Sequence, residues 1–369
     1  MRAPEKVLFL KFIEQGATVL AYSAIREVIE RQGRDNVYFC VFQPNRAILD
    51  ILNEIPAENI LVIRDDSFLL FIRDAWRSIW AIRKRGIDTI IDMEFFARAS
   101  AIFAYLAGAR NRVGLHRFTS EQPYRGDLMT VKVQYNPYIH TARAYRLLVD
   151  ALYQQQPGEV PWPKMPQADL AVATPRYRPT DALRNQVLQK LESDFGGAVP
   201  RSLVLLNPNA GDLLPLRKWE TENFLTLGQQ LLEDRPDVGL VITGAPSEKP
   251  HAEKLLAQFG SQRVISLAGK TSLEELFTLY TMADLLVTND SGPAHFASMT
   301  DIHVVVLFGP ETPELFAPLG DRIHVVWKRL ACSPCVNAMN HRFSACNNNL
   351  CMQLITVDEV KHTVLEHLG

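Results

Sequence analysis

The chain contains two series of short apolar segments rich in β-branched residues, and each segment is followed by a helix-like stretch. The first series is KVLFLKF, VYFCVF, NILVIR and TIIDME, and the second is LVLLNP, GLVITG, RVISLAG, LLVTND and HVVVLFG. Strands that alternate with helices form parallel sheets covered on both faces. The sequence therefore predicts an α/β protein with two Rossmann-like parallel sheets.

A proline-rich segment separates the two series. Six prolines fall between Pro157 and Pro179, where neither a helix nor a central strand is favoured. A chain of 369 residues also exceeds the size at which a single core stops growing. We expect an N-terminal domain over residues 1–165, a C-terminal domain over 166–355 and a packing helix over 356–369. A cleft between two such domains would bind ligands at the carboxyl ends of the strands.

Charge and hydropathy exclude several classes of protein. The 39 lysines and arginines nearly balance the 41 acidic residues, so no global field recruits nucleic acid. The N-terminal apolar run is broken by Lys11, is far shorter than the roughly 20 residues of a membrane span, and lacks a small-residue cleavage site. We therefore expect a cytoplasmic protein without a nucleic-acid partner.

The strand LLVTND leads directly into a glycine–proline pair. Gly292 permits close approach of another group to the backbone, and Pro293 suits the first position of a helix. The free amides and the dipole of such a helix form an anion site. The stretch is therefore interpreted as a phosphate cradle. The alternative is a plain turn in which Asp290 or Ser291 caps the helix.

Three further strand ends in the second half carry small, polar or charged residues. They contribute Asn207, Asn209 and Gly211 with the pair Arg217 and Lys218, then Gly244 and Glu248, and then Gly269, Thr271 and Ser272. Cations and small residues at strand ends can hold a diphosphate, and a carboxylate such as Glu248 can accept hydrogen bonds from ribose hydroxyls. The sequence predicts a nucleotide site here.

These residues resemble glycosyltransferase family 9, the family of the ADP-heptose:lipopolysaccharide heptosyltransferases. The resemblance rests on RKWETENF, TGAPSE, AGKTSLEEL, ADLLVTNDSGPAHFA and LFGPETPELFAP, in that order. It covers nearly the whole C-terminal half, whereas the N-terminal half matches more loosely. The resemblance implies a GT-B type fold with two facing Rossmann-like domains, a nucleotide sugar held by the C-terminal domain, and inversion at the anomeric carbon.

The resemblance also implies roles for individual residues. Arg217 or Lys218 would touch the diphosphate, Glu248 the ribose, residues 271–273 the base or the phosphate edge, and Asp290 with Gly292 the sugar diphosphate. His295 would donate to a phosphate or serve as a hydrogen-bonded structural residue. The expected donor site comprises Asn209, Arg217, Lys218, Gly244, Glu248, Thr271, Ser272, Leu273, Asp290, Ser291, Gly292 and His295.

Attack by an acceptor hydroxyl on a sugar carbon benefits from a carboxylate base, and fixed donors stabilise the leaving diphosphate, so the chemistry needs no cofactor. The family places an aspartate after a glycine in the loop following the first strand, but here Gly16 is followed by Ala17. We expect Asp92 or Glu94 to supply the base, with Asp92 favoured and Glu14 third. The alternative is that each acid caps a helix.

The acceptor side is less defined. The segment SFLLFIRDAWRSIWAIRKRG has the composition of a helix on an anionic membrane, although Phe68, Ile72, Ala75, Trp76 and Ile79 also follow the spacing of a packed helix, the ordinary interpretation. The stretch RVGLHRFTSEQPYRGDLM is interpreted as a loop, either solvated or gripping an acidic acceptor. The expected acceptor ligands are Arg98, Arg117 and Arg125.

Four of the five cysteines follow a C-x2-C-x10-C-x4-C pattern made by Cys332, Cys335, Cys346 and Cys351. In a reducing compartment this spacing favours a structural zinc or iron site, with disulfides or free thiols as the alternative. The family resemblance adds that some members that modify autotransporter proteins carry a four-cysteine iron site, with a longer later spacing.

The sequence thus predicts an inverting glycosyltransferase that moves a sugar, heptose in the first place, from an ADP-linked donor to a lipopolysaccharide-core, protein or other glycan acceptor. It would act in the cytoplasm, in peripheral contact with the inner membrane. Two alternatives stay open. One is a nucleotide-sugar hydrolase or epimerase, and the other is a metal-binding regulatory protein with a vestigial transferase fold.

Overall fold

The computed structural model describes residues 3–116, 125–154, 163–211, 214–340 and 343–369. The chain divides into two compact units. The N-terminal unit is Met1–Pro175 with Ala338–His341, and the C-terminal unit is Arg176–Asn337 with Arg342–Gly369. The division therefore falls within the predicted proline-rich segment, and the predicted packing helix belongs to the C-terminal unit.

The N-terminal unit contains a parallel six-stranded sheet with the order β3-β2-β1-β4-β5-β6. Its strands are β1 Val7–Leu10, β2 Val37–Phe42, β3 Ile60–Ile63, β4 Thr89–Asp92, β5 Asn111–His116 and β6 Val131–Gln134. Its helices are α1 Gln15–Leu20, α2 Tyr22–Gln32, α3 Arg46–Leu52, α4 Phe68–Arg85, α5 Arg98–Leu106 and α6 Thr141–Gln154. The central strand β1 is buried along its whole length because helices cover both faces of the sheet.

The C-terminal unit contains a second parallel six-stranded sheet with the order β12-β11-β10-β7-β8-β9. Its strands are β7 Ser202–Asn207, β8 Val238–Ile242, β9 Val264–Ser266, β10 Leu285–Asn289, β11 His303–Phe308 and β12 Ile323–Trp327. Its helices are α7 Asp181–Phe195, α8 Thr221–Asp234, α9 Lys249–Phe259, α10 Leu273–Tyr280, α11 Gly292–Ala297, α12 Pro313–Phe316, α13 Leu350–Gln353 and α14 Val357–His367. The predicted α/β class with two parallel sheets is confirmed.

Trp219 anchors the core of the C-terminal unit. Its indole is fully buried, lies 5.1 Å from the Phe224 ring and donates its Nε1–H to the carbonyl oxygen of Ile355 at 2.9 Å. That carbonyl lies just before α14, so the bond ties the last helix to the loop that carries Arg217. The predicted start of α14 is confirmed, because Thr356 Oγ1 accepts from the Glu359 amide at 3.3 Å.

Three of the observed strands, β5, β6 and β12, are not among the predicted segments. The interpretation of the stretch beginning RVGLHR as a loop is wrong for residues 111–116, which form a mostly buried strand. Gly114 interrupts the apolar pattern there, and the structure shows why: a Cβ would lie 2.9 Å from Arg125 Nη1 and 3.0 Å from Met129 Sδ. The glycine makes room for a buried arginine rather than for a turn.

Among the described residues, no helix combines the length and the low polarity that crossing a bilayer requires.

Candidate functional site

The carboxyl ends of four neighbouring strands in the C-terminal unit bring most of the predicted ligand residues to one edge of the sheet. Strands β10, β7, β8 and β9 are adjacent in that order and parallel. Asp290 follows β10, Asn209 follows β7, Gly244 follows β8 and Gly269 follows β9. Chain order reverses between β10 and β7, which is the point at which open parallel sheets bind ligands.

Arg217 occupies this edge together with two buried acids. Its Nη1 lies 3.3 Å from Glu311 Oε2 and 3.9 Å from Asp290 Oδ2. Both acidic residues are only 3% exposed. Burial and then the neighbouring Asp290 charge raise the pKa of Glu311 to about 8, and burial likewise raises the pKa of Asp290. The two carboxyls therefore share a proton near neutral pH, beside a cation that can also meet an anionic ligand.

Glu311 was not among the predicted site residues. It lies in the predicted motif LFGPETPELFAP, just after β11, but more than ninety positions from Arg217 along the chain. An acid following a buried strand is the available signal, and it is the same signal that marks Asp92 and Glu94.

The short helix α11 has an uncapped amino end beside Asp290. At the N-cap position the Ser291 side chain makes no capping hydrogen bond, and its hydroxyl instead donates to the carbonyl of Asn289 at 3.2 Å. The alternative in which Asp290 or Ser291 caps this helix is therefore wrong. His295 lies within α11 and is buried, and its carbonyl accepts from the Ser298 hydroxyl at 2.7 Å.

Asn209 and Gly244 form a close contact between the loops after β7 and β8. A Cβ on Gly244 would lie 3.0 Å from Glu248 Oε2 and 3.2 Å from Asn209 Nδ2, so a larger residue would crowd both side chains. Within the described part of the chain, the buried Nδ2 of Asn209 has no hydrogen-bond partner. Glu248 Oε2 accepts from the Ala245 amide at 2.7 Å. A buried amide donor without a partner is suited to a polar ligand.

The residues around the start of α10 are engaged differently from the prediction. Ser272 caps this helix: its hydroxyl accepts from the Glu275 amide at 3.1 Å, and Glu275 Oε2 accepts from the Ser272 amide at 2.7 Å. Thr271 precedes the cap and Leu273 begins the helix. The Ser272 side chain therefore has a structural role that competes with the predicted ligand role.

Lys218 is half-buried just after Arg217.

The carboxyl ends of β1 and β4 in the N-terminal unit gather a second set of charged residues. Leu10 and Asp92 pair in register at the ends of these strands, so residues that follow them lie close together. Lys11, only 1% exposed, has its Nζ 3.0 Å from Glu94 Oε2 and 3.3 Å from Glu14 Oε2. Glu94 Oε1 also accepts from the Phe12 amide at 2.7 Å. The predicted pair and Glu14 thus belong to one network.

Asp92 is the most deeply buried acid of this network, with 0% exposure. Its Oδ1 accepts from the Glu94 amide at 2.9 Å, and its Oδ2 accepts from the Ser100 hydroxyl at 2.8 Å and lies 3.2 Å from Arg125 Nη2. Burial raises the pKa of Asp92, and the Arg125 charge opposes that shift. A carboxylate with these partners holds the loop after β4 in place.

Glu14 is the more accessible carboxylate, with a side chain 21% exposed. It is the N-cap residue of α1 with a left-handed backbone, φ 72°, which is uncommon for a residue other than glycine. Its side chain does not cap the helix but points to Lys11. The loop therefore holds a partly exposed carboxylate against a buried ammonium.

The three arginines predicted to bind an acceptor do not form one group. Arg125 is buried, is paired with Asp92 and donates to the carbonyl of Glu94, and its role as an acceptor ligand stays a prediction. Arg98 is exposed at the first residue of α5. Arg117 lies outside the described residues.

Helix α4 exposes an apolar face. Trp76 and Trp80 are 59% and 62% exposed, whereas Ile79 is buried against the sheet. The expected core stripe is therefore wrong in part, since its members Phe68, Ile72 and Trp76 face outward. We call the following set the α4–α5 patch: Phe68, Leu69, Ile72, Trp76, Trp80, Ile102, Tyr105 and Leu106, all exposed on two contacting helices. Arg73, Arg77, Arg83 and Lys84 are exposed on the same helix α4.

The four clustered cysteines form no disulfide among the described residues. Cys332 and Cys346 are exposed, Cys335 is half-buried and Cys351 is buried. Burial, followed by the nearby Cys335 and Cys346, raises the pKa of the Cys351 thiol. The Ser344 hydroxyl donates to Cys335 Sγ at 3.2 Å. Thiols have the chemistry of zinc or iron ligands, but among the described residues no three of these sulfur atoms lie within 4.8 Å of one another.

A family model described as glycosyltransferase family 9 (heptosyltransferase) matches residues 75–343. Lipopolysaccharide heptosyltransferase 2 of Salmonella typhimurium is 31% identical over 137 residues, which are 36% of this chain and 38% of that protein. The match thus spans well under half the length of this curated relative.

Solved structures match over almost the whole chain. The structure of E. coli ADP-heptose lps heptosyltransferase II has a TM-score of 0.72 and 18% identity, covering 98% of both chains. The glycosyl transferase family 9 structure from Veillonella parvula has a TM-score of 0.75 and 17% identity, covering 99% of this chain and 97% of that one. At this identity the likeness shows the fold, which is of the GT-B type.

Proposed function

The chain belongs to glycosyltransferase family 9, the heptosyltransferase family, and we propose that it is an inverting transferase that moves a heptose from an ADP-linked donor to a hydroxyl of a glycan acceptor. Lipopolysaccharide core is the first acceptor to test, because the matched relatives are named for lipopolysaccharide. The observation that carries the proposal is Arg217 held between two buried carboxyls beside the uncapped start of α11.

The diphosphate of the donor would meet Arg217 and the amides that begin α11. A guanidinium that is already positioned donates to phosphate oxygens without further ordering. The amides at the start of the helix add N–H donors and the positive end of the helix dipole. As the bond to the sugar breaks, negative charge grows on the diphosphate, and these fixed donors stabilise it. Lys218 adds a second cation at the edge of the site. Protonated Glu311 would limit the repulsion between the buried acids and the ligand.

The nucleoside would lie over the loops after β7 and β8. The partnerless Nδ2 of Asn209 can donate to a ribose or phosphate oxygen, and Glu248 can accept from ribose hydroxyls. Gly244 keeps this edge open, because any side chain there would fill the space between Asn209 and Glu248. Residues 271–273 would lie against the base, while the Ser272 amide and hydroxyl stay engaged with Glu275.

Glu14 would act as the base that removes the proton from the acceptor hydroxyl. It lies in the loop after β1, three positions before the Ala17 that stands where the family has its aspartate. It is the exposed acid of the network, whereas Asp92 has no exposure and accepts two hydrogen bonds. The preference for Asp92 or Glu94 stays a prediction, and their burial argues for a positioning role in support of Glu14.

Lys11 would set the electrostatics of that base. Its ammonium lies 3.3 Å from Glu14 Oε2, so it positions the carboxylate and gives it a positive partner. Glu94 fixes Lys11 at 3.0 Å and also accepts from the Phe12 amide, which keeps the loop after β1 in one position. This arrangement would place a carboxylate in the same loop as the family's aspartate, but at a different position in the sequence.

The acceptor would be delivered from a membrane surface. The α4–α5 patch consists of exposed aromatic and aliphatic side chains on two contacting helices, and α4 carries four exposed cations. Aromatic rings with arginine and lysine on one helix suit the interface of an anionic bilayer. We propose that the protein works in the cytoplasm and that this patch holds it peripherally to the inner membrane, where a glycolipid acceptor resides. Exposed Arg98 would help to hold an acidic acceptor.

The cysteine cluster would hold a structural zinc or iron ion through Cys332, Cys335, Cys346 and Cys351. The thiols lie in one segment, and Cys351 is packed against Gly309, which follows β11. A bound ion would supply a cross-link between this segment and the carboxyl edge of the sheet, and the transfer itself needs none. Metal content by mass spectrometry of protein purified without chelators tests this assignment.

The vestigial alternative has one specific observation in its favour, namely Ala17 in place of the family's aspartate. It predicts donor affinity without transfer. The test is a paired measurement: calorimetric binding of ADP-, GDP- and UDP-linked sugars, followed by transfer to lipid-linked core glycans analysed by mass spectrometry. Binding and transfer together support the proposal. Sugar release without an acceptor would indicate a hydrolase, and binding alone would indicate a vestigial protein.

A further inference from the structure

Three histidines lie together at the amino-terminal edge of the C-terminal sheet. His303 is the first residue of β11, His324 lies on β12 and His367 is the last residue of α14. His303 Nδ1 lies 3.0 Å from His324 Nε2, and the ring centroids of His324 and His367 are 3.5 Å apart. Among the described residues, these three form a group whose ligand nitrogens all lie within 4.8 Å of one another.

The sheet register explains how the sequence builds this group. Strands β11 and β12 are parallel with Val305 opposite His324, so these two side chains share one face. His303 lies two residues before Val305 and therefore faces the same way. Val360 and Val364 of α14 pack in the same apolar cluster as Val305. The last turn of α14 consequently carries His367 over the two strands.

The histidine group is separate from the donor site. Strand β11 runs from His303 to Phe308, and Glu311 follows its opposite end. At about 3.3 Å per residue, the six residues of the strand put the two sites at opposite edges of the sheet. The imidazoles therefore have no part in holding the nucleotide.

Neutral imidazoles are ligands for zinc, cobalt, nickel and copper, whereas calcium and magnesium prefer oxygen. Each of the three rings is half-buried, so an ion can enter from solvent. Glu366 is a negative neighbour of His324 and offsets part of an added positive charge, while Arg322 beside His303 opposes it. The balance of charges around the group is compatible with one divalent cation.

We propose that His303, His324 and His367 bind one divalent transition-metal ion, with zinc as the probe ion, and that the ion fastens α14 to β11 and β12. Three nitrogens around tetrahedral zinc are ~3.4 Å apart, so the rings need to turn out of their near-parallel stack to converge. The fourth position stays open to water. The ion is structural in this proposal, because nothing at this edge contacts a substrate.

The test uses the full-length chain without a histidine tag, treated with chelator and returned to chelator-free buffer. Cys332 and Cys346, both exposed, are replaced by serine in the parent so that the thiols cannot form a four-cysteine site. Zinc and cobalt binding are measured by calorimetry and by the ligand-field spectrum of the cobalt form. We expect one bound ion, no sulfur-to-cobalt charge-transfer band, and a melting temperature that rises with zinc concentration.

Two variants decide the proposal. His367→Ala should weaken zinc binding by at least about tenfold, since even indirect supporting contacts to a metal site are worth that much, and should abolish the zinc-dependent rise in melting temperature. The matched control is His362→Ala on the exposed face of the same helix, which should bind zinc like the parent. Equal binding by parent and His367→Ala, or no binding by a folded parent, would overturn the proposal. Donor affinity should be unchanged throughout, so this outcome is independent of the transferase proposal.

Discussion

Lys11 donates to Glu94 across 3.0 Å while its ammonium is almost completely withdrawn from water. Breaking a buried pair costs about 3–5 kcal/mol, and removing Glu94 leaves the buried ammonium with only the partly exposed Glu14 as a carboxylate partner and removes the acceptor of the Phe12 amide. Glu94→Ala should therefore lower the free energy of unfolding by roughly that amount, read from the urea midpoint at an unchanged slope. The matched control is Asp50→Ala, which removes an exposed partner of Arg46 and should change stability by less than about 1 kcal/mol. Similar small effects for both variants would contradict the buried-pair interpretation.

Glu14→Gln should lower kcat by about a hundredfold or more, because general base catalysis contributes about that factor and glutamine cannot accept the proton. Donor affinity and the melting temperature should stay near those of the parent, since Glu14 is partly exposed. Steady-state transfer kinetics with calorimetric donor binding check both parts. Asp92→Asn is the comparison: if it abolishes transfer in a stably folded protein while Glu14→Gln stays active, Asp92 is the base.

Arg217→Ala should weaken binding of the donor diphosphate by about tenfold to a hundredfold, since hydrogen bonds to charged groups contribute about 1.5–3 kcal/mol. Calorimetry with ADP and with adenosine separates a loss of diphosphate binding from a loss of nucleoside binding. Adenosine lacks the diphosphate and should bind both proteins alike. Arg235→Ala is the control, as Arg235 pairs with Asp237 away from the carboxyl edge of the sheet. A loss of adenosine affinity in Arg217→Ala would indicate a disturbed fold.

Donor affinity should fall as pH rises through about 8, the pKa to which burial and Asp290 raise Glu311. Protonated Glu311 is neutral, and an arriving diphosphate favours that form further, so binding above this pH takes up a proton. The same shift makes the folded state most stable below the ordinary pKa of the carboxyl, with stability lost as pH rises from there to about 8. Calorimetry in buffers of different ionisation enthalpy measures the proton uptake. Glu311→Gln should bind with little pH dependence in this range, and a retained dependence would assign it to another group.

Replacing Trp76 and Trp80 together by serine should weaken binding to anionic phospholipid vesicles by at least about tenfold, because each buried large apolar side chain contributes about 1.5–3 kcal/mol. Co-sedimentation with vesicles of phosphatidylglycerol measures this, and neutral vesicles should bind more weakly. Phe343→Ser removes an exposed aromatic ring of the C-terminal unit and should leave binding unchanged. Equal sedimentation of all three proteins would remove the membrane role of the α4–α5 patch.

The main architecture could be predicted from the sequence because buried parallel strands consist of continuous runs of apolar residues. Strand β5 could not, since Gly114 and Arg112 break its pattern for reasons that lie in a distant buried arginine. The face of α4 was also beyond prediction. Helical spacing places Phe68 and Trp76 on one stripe, but it does not say whether that stripe meets the sheet or the solvent.

Sequence reasoning identifies candidate site residues where one strand end carries its own chemistry, as at Asp290 and Gly292. It does not identify them where two distant positions make the chemistry together. Lys11 and Glu94 are 83 positions apart, and no local pattern marks a lysine that will be buried. The Arg217–Glu311 pair is of the same kind. Such pairs depend on which strands become neighbours, and that is set by the sheet order rather than by any single segment.

The place of β1 in the middle of its sheet has a consequence for biosynthesis. One of its neighbours is β2, but the other is β4, whose residues emerge from the ribosome only after more than seventy further amino acids. Until then one side of β1 offers unpaired backbone groups, and Lys11 lacks Glu94. Nascent chains that stop short of Thr89–Asp92 should therefore be prone to aggregation and should recruit chaperones, whereas slightly longer chains should not.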